Sequence, residues 1–195
     1  MRDLSVHFSS DTIEWESPWE LYESYEREFG IVLDVCATER NSKARHCYTP
    51  EMDGLGQPWA ADARELGGAG WMNPPYGDPE HPCKPKCIKK RCQPCTSKCK
   101  PGCRKHRGHH ISVYVPGICD WVKKASHESG LGLTLVSLLP SRTDTAWWHT
   151  FIWDGWSHHP QTRVEVRLLR GRQKFGEALN SAPFPSAVVV FRGAR

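Results

Sequence analysis

Helical and strand periodicities alternate along this chain. Ser17-Pro18-Trp19-Glu20 reads as a helix start, with Ser17 as N-cap, Pro18 in the first helical position and Glu20 three residues after the cap. Leu21, Tyr22, Tyr25 and Phe29 then share one face, and Gly30 stands where a helix would stop. The apolar run Ile31 to Ala37 predicts a short strand that carries an acid, Asp34, near its carboxyl end. Residues 38–68 are polar and read as irregular, with turn-like pieces at Asp53-Gly54-Leu55 and Gln57-Pro58-Trp59. A second apolar run, Ala69 to Met72, stops at Asn73-Pro74-Pro75-Tyr76. Further on, Ile118 to Ser129 predicts a helix with Trp121, Val122 and Ala125 on one face and Gly130 as a stop. Leu131 to Leu139 reads as a buried strand ending at Pro140, and Thr143 to Trp153 as a helix. Arg163 to Leu169 alternates as a half-buried strand does, and Ser186 to Phe191 is a final strand. The expected fold is α/β around a central sheet, as one domain over residues 1–195.

Composition narrows the setting. Of 195 residues, 38% are hydrophobic and 25% charged, which describes a soluble globular chain. No apolar run approaches the roughly 20 residues of a membrane helix. Met1 to Asp11 lacks an apolar signal core, so a cytoplasmic location is expected, and the nine cysteines read as metal ligands before disulfides. The net charge of +4 is unevenly spread. His81 to His110 holds ten Lys and Arg and no acid, while the rest of the chain carries 16 basic against 22 acidic residues. A polyanion is the natural partner for such a segment.

The run ending in Asn73 has chemistry of its own. Neither Pro74 nor Pro75 donates a backbone hydrogen bond, and each drives the preceding residue to an extended conformation. A strand therefore ends in a stiff loop. There the Asn73 side-chain oxygen and the Pro74 carbonyl can accept N–H bonds, and the Tyr76 ring offers a stacking face. Those are the needs of a planar, nitrogen-bearing group, although a plain Pro-Pro turn has the same residues. Asp34 likewise sits where open α/β sheets bind ligands, or it is a solvated turn residue.

Cys83, Cys87, Cys92, Cys95, Cys99 and Cys103 fall within 21 residues, with His106, His109 and His110 just after. So dense a segment leaves no room for an apolar core. Six cysteines with His106 and His109 would fill two four-coordinate zinc sites; a two-metal cluster sharing the six thiolates is the other arrangement. This basic insert, residues 78–117, opens directly after the Asn73 loop. Arg104, Lys105 and Arg107 are candidates for phosphate contact, unless the basic face is merely solvated. Cys36, Cys47 and Cys119 lie outside the spacing. The aromatic group Trp147, Trp148, Trp153 and Trp156 reads as packing before a base-stacking platform.

In their order, Ser-Pro-x-x-Leu from Ser17, Leu-Asp-Val-Cys-Ala-Thr from Leu33, Trp-Met-Asn-Pro-Pro-Tyr-Gly from Trp71 and Trp-Val-x-Lys-Ala from Trp121 resemble phage-type DNA N6-adenine methyltransferases. So do Leu-Leu-Pro-Ser-Arg-Thr-Asp-Thr-x-Trp-Trp-His from Leu138, Gly-Arg-x-Lys-Phe from Gly171 and Ala-Pro-Phe-Pro-Ser-Ala-Val-Val-Val-Phe from Ala182. The resemblance spans nearly the whole chain apart from the insert. It implies a Rossmann-like sheet, S-adenosylmethionine as cofactor and double-stranded DNA as substrate. It makes Asn73, Pro74, Pro75 and Tyr76 the target-base site. Pro18, Asp34, Cys36, Ala37, Asp53 and Asn73 become cofactor contacts. The turn after Asp34 lacks the glycine-rich Phe-x-Gly-x-Gly of many amino-methyltransferases. No role is derived for Arg142, Arg172 or Lys174. Two other readings stay open: a glutamine or RNA-base methyltransferase using the same loop, and a non-catalytic zinc-containing DNA-binding protein.

Overall fold

In the computed structural model, the described residues are 16–94, 96, 97, 106, 108–176 and 181–194. The chain enters through helix α1 (Trp19–Phe29), whose carboxyl end is closed by Gly30 at φ 62°. Strand β1 (Ile31–Asp34) follows, then the two-residue strand β2 (His46–Cys47), helix α2 (Trp59–Leu66) and strand β3 (Ala69–Met72). A long excursion between Gly77 and Gly117 leads into helix α3 (Ile118–Gly130) and strand β4 (Leu135–Pro140). Helix α4 (Ala146–Phe151), a small hairpin of β5 (Trp153–Asp154) and β6 (His159–Pro160), and strands β7 (Val164–Leu168) and β8 (Ser186–Phe191) complete the chain.

The architecture is mixed α/β with a mostly parallel six-stranded sheet ordered β2-β1-β3-β4-β8-β7. The first four strands pair in parallel, and β8 runs antiparallel between β4 and β7. Strands β3, β4 and β8 are buried throughout, as their continuous apolar runs require. Tyr22 and Tyr25 of α1 pack on Trp71 of β3, at 5.4 and 6.4 Å between ring centroids. Trp59 of α2 stacks on Trp121 of α3 at 6.0 Å. The chain goes from β1 outward to β2, then returns to place β3 on the other side of β1. The order therefore reverses between β1 and β3, and their carboxyl ends, Asp34 and Met72, flank the reversal.

Several elements differ from the sequence reading. Helix α2 lies inside the stretch read as irregular: Trp59, Ala60 and Ala63 bury one side of it, but Gly54, Gly56 and Pro58 just before it carry turn signals. Strand β4 begins four residues later than expected, because Gly132 at φ 104° and the turn back onto Glu128 occupy the interval. Trp153 opens a hairpin rather than ending a helix. Trp147 and Trp148 are buried and pack together, whereas Trp156 is 91% exposed, so the four tryptophans make no shared platform.

The two ends of the Gly77–Gly117 excursion touch: Ile118 N–H donates to Gly77 O at 2.9 Å, and a Cβ on Gly117 would fall 2.3 Å from Pro79 N. Gly117→Ala is therefore expected to cost ~1–3 kcal/mol by overpacking. A thermal melt reads this directly, and an unchanged melting temperature would mean that the two ends do not meet.

Candidate functional site

The carboxyl ends of β1 and β3 bring together residues far apart in sequence. Asp34 is 3% exposed. Its Oδ1 accepts the Cys36 backbone N–H at 3.3 Å, and its Oδ2 accepts that of Lys43 at 3.2 Å. Burial dominates these bonds and lifts the carboxyl to about 6. Val35 N–H donates to Trp71 O, and Ala37 N–H to Tyr48 O, which fixes the turn that holds Cys36 and Ala37. That turn has no glycine, yet a close backbone approach exists: a Cβ on Gly54 would lie 2.6 Å from Val35 O. Gly54 follows Asp53, which adopts φ 52° and is exposed, so Asp53 stands next in chain to that close approach. Burial also raises the Cys36 thiol well above its ordinary value.

Asn73 is fixed by a residue the sequence reading used otherwise. Ser17 does not cap α1 with its side chain; Pro18 is the N-cap, and its carbonyl accepts Tyr22 N–H at 3.1 Å. The Ser17 hydroxyl oxygen instead accepts Asn73 Nδ2–H at 3.0 Å and Trp71 Nε1–H at 3.3 Å. The amide oxygen of Asn73 thereby turns the other way, where the Tyr76 hydroxyl donates to it at 2.5 Å. Pro74 is buried and Pro75 exposed. The Tyr76 ring, expected as a free stacking face, is 6% exposed, because Phe175 and Phe184 meet it edge-on at 6.2 and 5.5 Å. Residues flanking these rings also reach Glu16, whose carbonyl accepts Gly176 N–H and whose carboxylate pairs with Lys43 Nζ at 2.7 Å. Lys43 lies 4.0 Å over the Trp19 ring. Segments 16–19, 34–37 and 73–76, with Lys43, Phe175, Gly176 and Phe184, thus gather at one end of the sheet. Ser17 and Lys43 were missed as site residues: Ser17 carries an equally good capping signal, and Lys43 carries none.

The excursion holds a second constellation. Cys83, Cys87, Cys92 and His110 place one ligand atom each within 4.8 Å of one another. The Cys83 thiol is held down at about 6, first by the Ile111 N–H and then by the His110 ring. His110, which was not among the expected ligands, is the histidine of this group; the His106 Nδ1 lies 3.2 and 3.1 Å from the carbonyls of Gln93 and Pro94. Cys95, Cys99 and Cys103, with Arg104, Lys105 and Arg107, lie outside the described residues. Cys36, Cys47 and Cys119 stand apart as half-buried free thiols.

The family model for DNA N-6-adenine-methyltransferase (Dam) matches residues 7–178 of this chain. The chain belongs to that family. Its Dam-family character extends to a curated relative, the DNA N-6-adenine-methyltransferase of Haemophilus phage HP1 (strain HP1c1), at 39% identity over 72 residues. That match spans 36% of this chain and 38% of the relative, well under two thirds of the relative's length. No solved structure matches this Dam-family chain. No helix among the described residues is long and apolar enough to cross a membrane.

The electrostatics of Asp34 give a test. Its folded carboxyl holds a proton more tightly than an unfolded one, so its contribution to stability is full below pH ~4 and fades as the pH rises through about 6. Carboxyl-detected NMR of the folded protein should show Asp34 titrating near 6, and an ordinary midpoint near ~4 would refute its burial.

Proposed function

We propose that this Dam-family protein transfers a methyl group from S-adenosylmethionine to the N6 amino group of adenine in double-stranded DNA, within a Rossmann-like domain spanning residues 1–195. The observation that carries this is the Asn73–Pro74 loop at the strand-order reversal, with its amide held in one orientation by Ser17. Open α/β sheets bind ligands outside the carboxyl ends of their strands at such a reversal. The single reversed strand β8 between β4 and β7 is compatible with the Rossmann-like reading.

The residues fit the cofactor. A buried carboxyl that keeps its proton to about 6 is stabilised as an anion by any cation brought beside it. Lys43 fills that role only in part: its charge favours the anion, but burial outweighs it and its ammonium is paired with Glu16. Asp34 would therefore take the positive end of the cofactor, with Cys36, Ala37, Asp53 and Pro18 around it and Asn73 bordering the substrate. When bound, S-adenosylmethionine supplies an electrophilic sulfonium methyl.

The rest of the chemistry belongs to the chain. The adenine amino nitrogen is a poor nucleophile because its lone pair is delocalised into the ring. Acceptors at Asn73 Oδ1 and the Pro74 carbonyl would draw its hydrogens into a more tetrahedral arrangement and stabilise the positive charge that develops during attack. No strong general base is needed. Alignment of the two reactants by the rigid Pro-Pro loop supplies further acceleration. The target nitrogen is out of reach inside a duplex, so the base must be flipped out. The Tyr76 hydroxyl now occupies the Asn73 oxygen, and Phe175 and Phe184 cover the Tyr76 ring. Entry of a base therefore exchanges the Tyr76 hydrogen bond for the amino group and displaces the Phe175 and Phe184 rings. The insert at residues 78–117 would bind zinc, two ions on its cysteine and histidine count, and contact the phosphate backbone. Such a protein would work in the cytoplasm of a phage's bacterial host.

Incubation with labelled S-adenosylmethionine and DNA, followed by nucleoside analysis, should place label in N6-methyladenine; label in protein or RNA alone would end the reading. Asn73→Ala should lower turnover by roughly 10²–10³ while DNA and cofactor binding persist. Ser17→Ala frees the amide to rotate and should lower kcat with KM little changed, and Asn73→Ala/Ser17→Ala should be no slower than Asn73→Ala alone. Additive losses in that cycle would show that Ser17 does not act through Asn73.

A further inference from the structure

The segment between Glu80 and Tyr114 has to be held by something other than apolar burial. Among its described residues only Cys92 and Ile111 are buried, and Ile88 is 89% exposed. Its two stems run antiparallel: Glu80 and Val115 form a bridge, and Cys83 N–H donates to Ile111 O at 2.9 Å. That register brings His110 beside Cys83. Cys87 arrives through a tight turn closed by Cys87 N–H on Lys84 O, with Lys86 at φ 59°, a conformation costly for a side-chain-bearing residue. Cys92 arrives at the end of a short 3-10 turn, Lys90–Cys92. Three separate backbone devices thus aim four donors at one point.

The spacing of the donors identifies their use. The Cys83 and Cys92 sulfurs are 3.5 Å apart and the Cys87 and Cys92 sulfurs 3.8 Å. A disulfide needs about 2.05 Å, and three thiols beside an imidazole cannot all pair off. Two thiolates on one tetrahedral zinc, each at about 2.3 Å, stand about 3.8 Å from each other. Three thiolates and one imidazole are a closed structural zinc set with no position left for water or substrate. Zinc with three thiolates leaves a net charge of −1. Around it Lys84, Lys86, Lys89 and Lys90 are exposed, and Arg91 pairs with Glu80 at 2.7 Å. The cations outnumber the residual charge and are exposed, in the segment that follows Gly77, where the Asn73 loop ends.

We propose that Cys83, Cys87, Cys92 and His110 bind one zinc ion, and that this ion fixes Lys84, Lys86, Lys89 and Lys90 as a rigid edge for the phosphate backbone of DNA. The second half of this rests on the DNA-methyltransferase reading; the first half does not. Zinc here replaces a core. Removing it releases the turn at Lys86 and unfixes the cationic edge, while the sheet, with its own buried strands, stays folded.

The test uses the full chain. Metal analysis of the purified protein should find zinc, and Cys92→Ser should contain one equivalent less than wild type, with its thermal melt retained. His110→Cys keeps four donors, so it should keep the equivalent; after exchange into cobalt(II), its absorption should change from that of wild type as an imidazole is replaced by a thiolate. Absence of metal, a metal other than zinc, undiminished zinc in Cys92→Ser, or a cobalt spectrum unaltered by His110→Cys would each overturn the site. For the edge, Lys89→Gln/Lys90→Gln should keep its zinc, weaken binding to a DNA duplex and reduce the slope of log affinity against log salt by about 2. An unchanged slope would overturn the phosphate edge and leave the zinc site standing. Failure of wild type to bind any duplex would overturn the edge together with the DNA reading, again independently of the metal analysis.

Discussion

The parallel pairing of β1 with β3 is the constraint on which the rest depends. Asp34 stands in register with Trp71, and Val35 N–H continues the ladder by donating to Trp71 O. This pairing puts a buried acid and an amide-bearing loop at the same end of the sheet, although Asp34 and Asn73 are 39 positions apart in sequence. It also turns Trp71 toward α1, so that Tyr22 and Tyr25 close over it and the start of α1 reaches the loop. Ser17 then bonds both Trp71 and Asn73. Slip this register by one residue and Trp71 would face the opposite side of the sheet, taking with it the anchor for α1 and the orientation of Asn73.

The site is closed from the flanks rather than from above. Glu16 holds Lys43 with its side chain and Gly176 with its backbone, while Phe175 and Phe184 wall in Tyr76. The amino-terminal and late segments are therefore linked through one acidic residue. Glu16 bonds Gly176, next to Phe175, while its chain neighbour Ser17 bonds Asn73.

How much of this was legible in the chain depended on the range of the interactions. The strand Ser186–Phe191, the helix from Ile118 and the stiff Asn73-Pro74-Pro75 ending are local patterns, and they were readable. Helix α2 was not, because eight residues behind two glycines and a proline resemble a turn. The adjacency of Asp34 and Asn73 followed from a general rule about strand ends. Ser17 did not, since its bond to Asn73 spans 56 positions while its local neighbourhood offers a ready alternative role. The approach of His110 to Cys83, Cys87 and Cys92 rests on the antiparallel register of Cys83 with Ile111, which residue spacing alone does not encode. The fate of the Tyr76 ring depended on Phe175 and Phe184, roughly a hundred residues onward.

The meeting of Gly77 and Gly117 has a consequence for how such a chain can change. Gly77 accepts a backbone hydrogen bond from Ile118, and Gly117 sits too close to Asp78 and Pro79 for a methyl group. The sheet therefore sees the same two anchor points whether the chain between them is long or short, and the entropy of closing a loop grows only slowly with its length. This junction is a socket. A lobe of another length, or a bare turn, could occupy it without disturbing the pairing that holds Asp34 and Asn73.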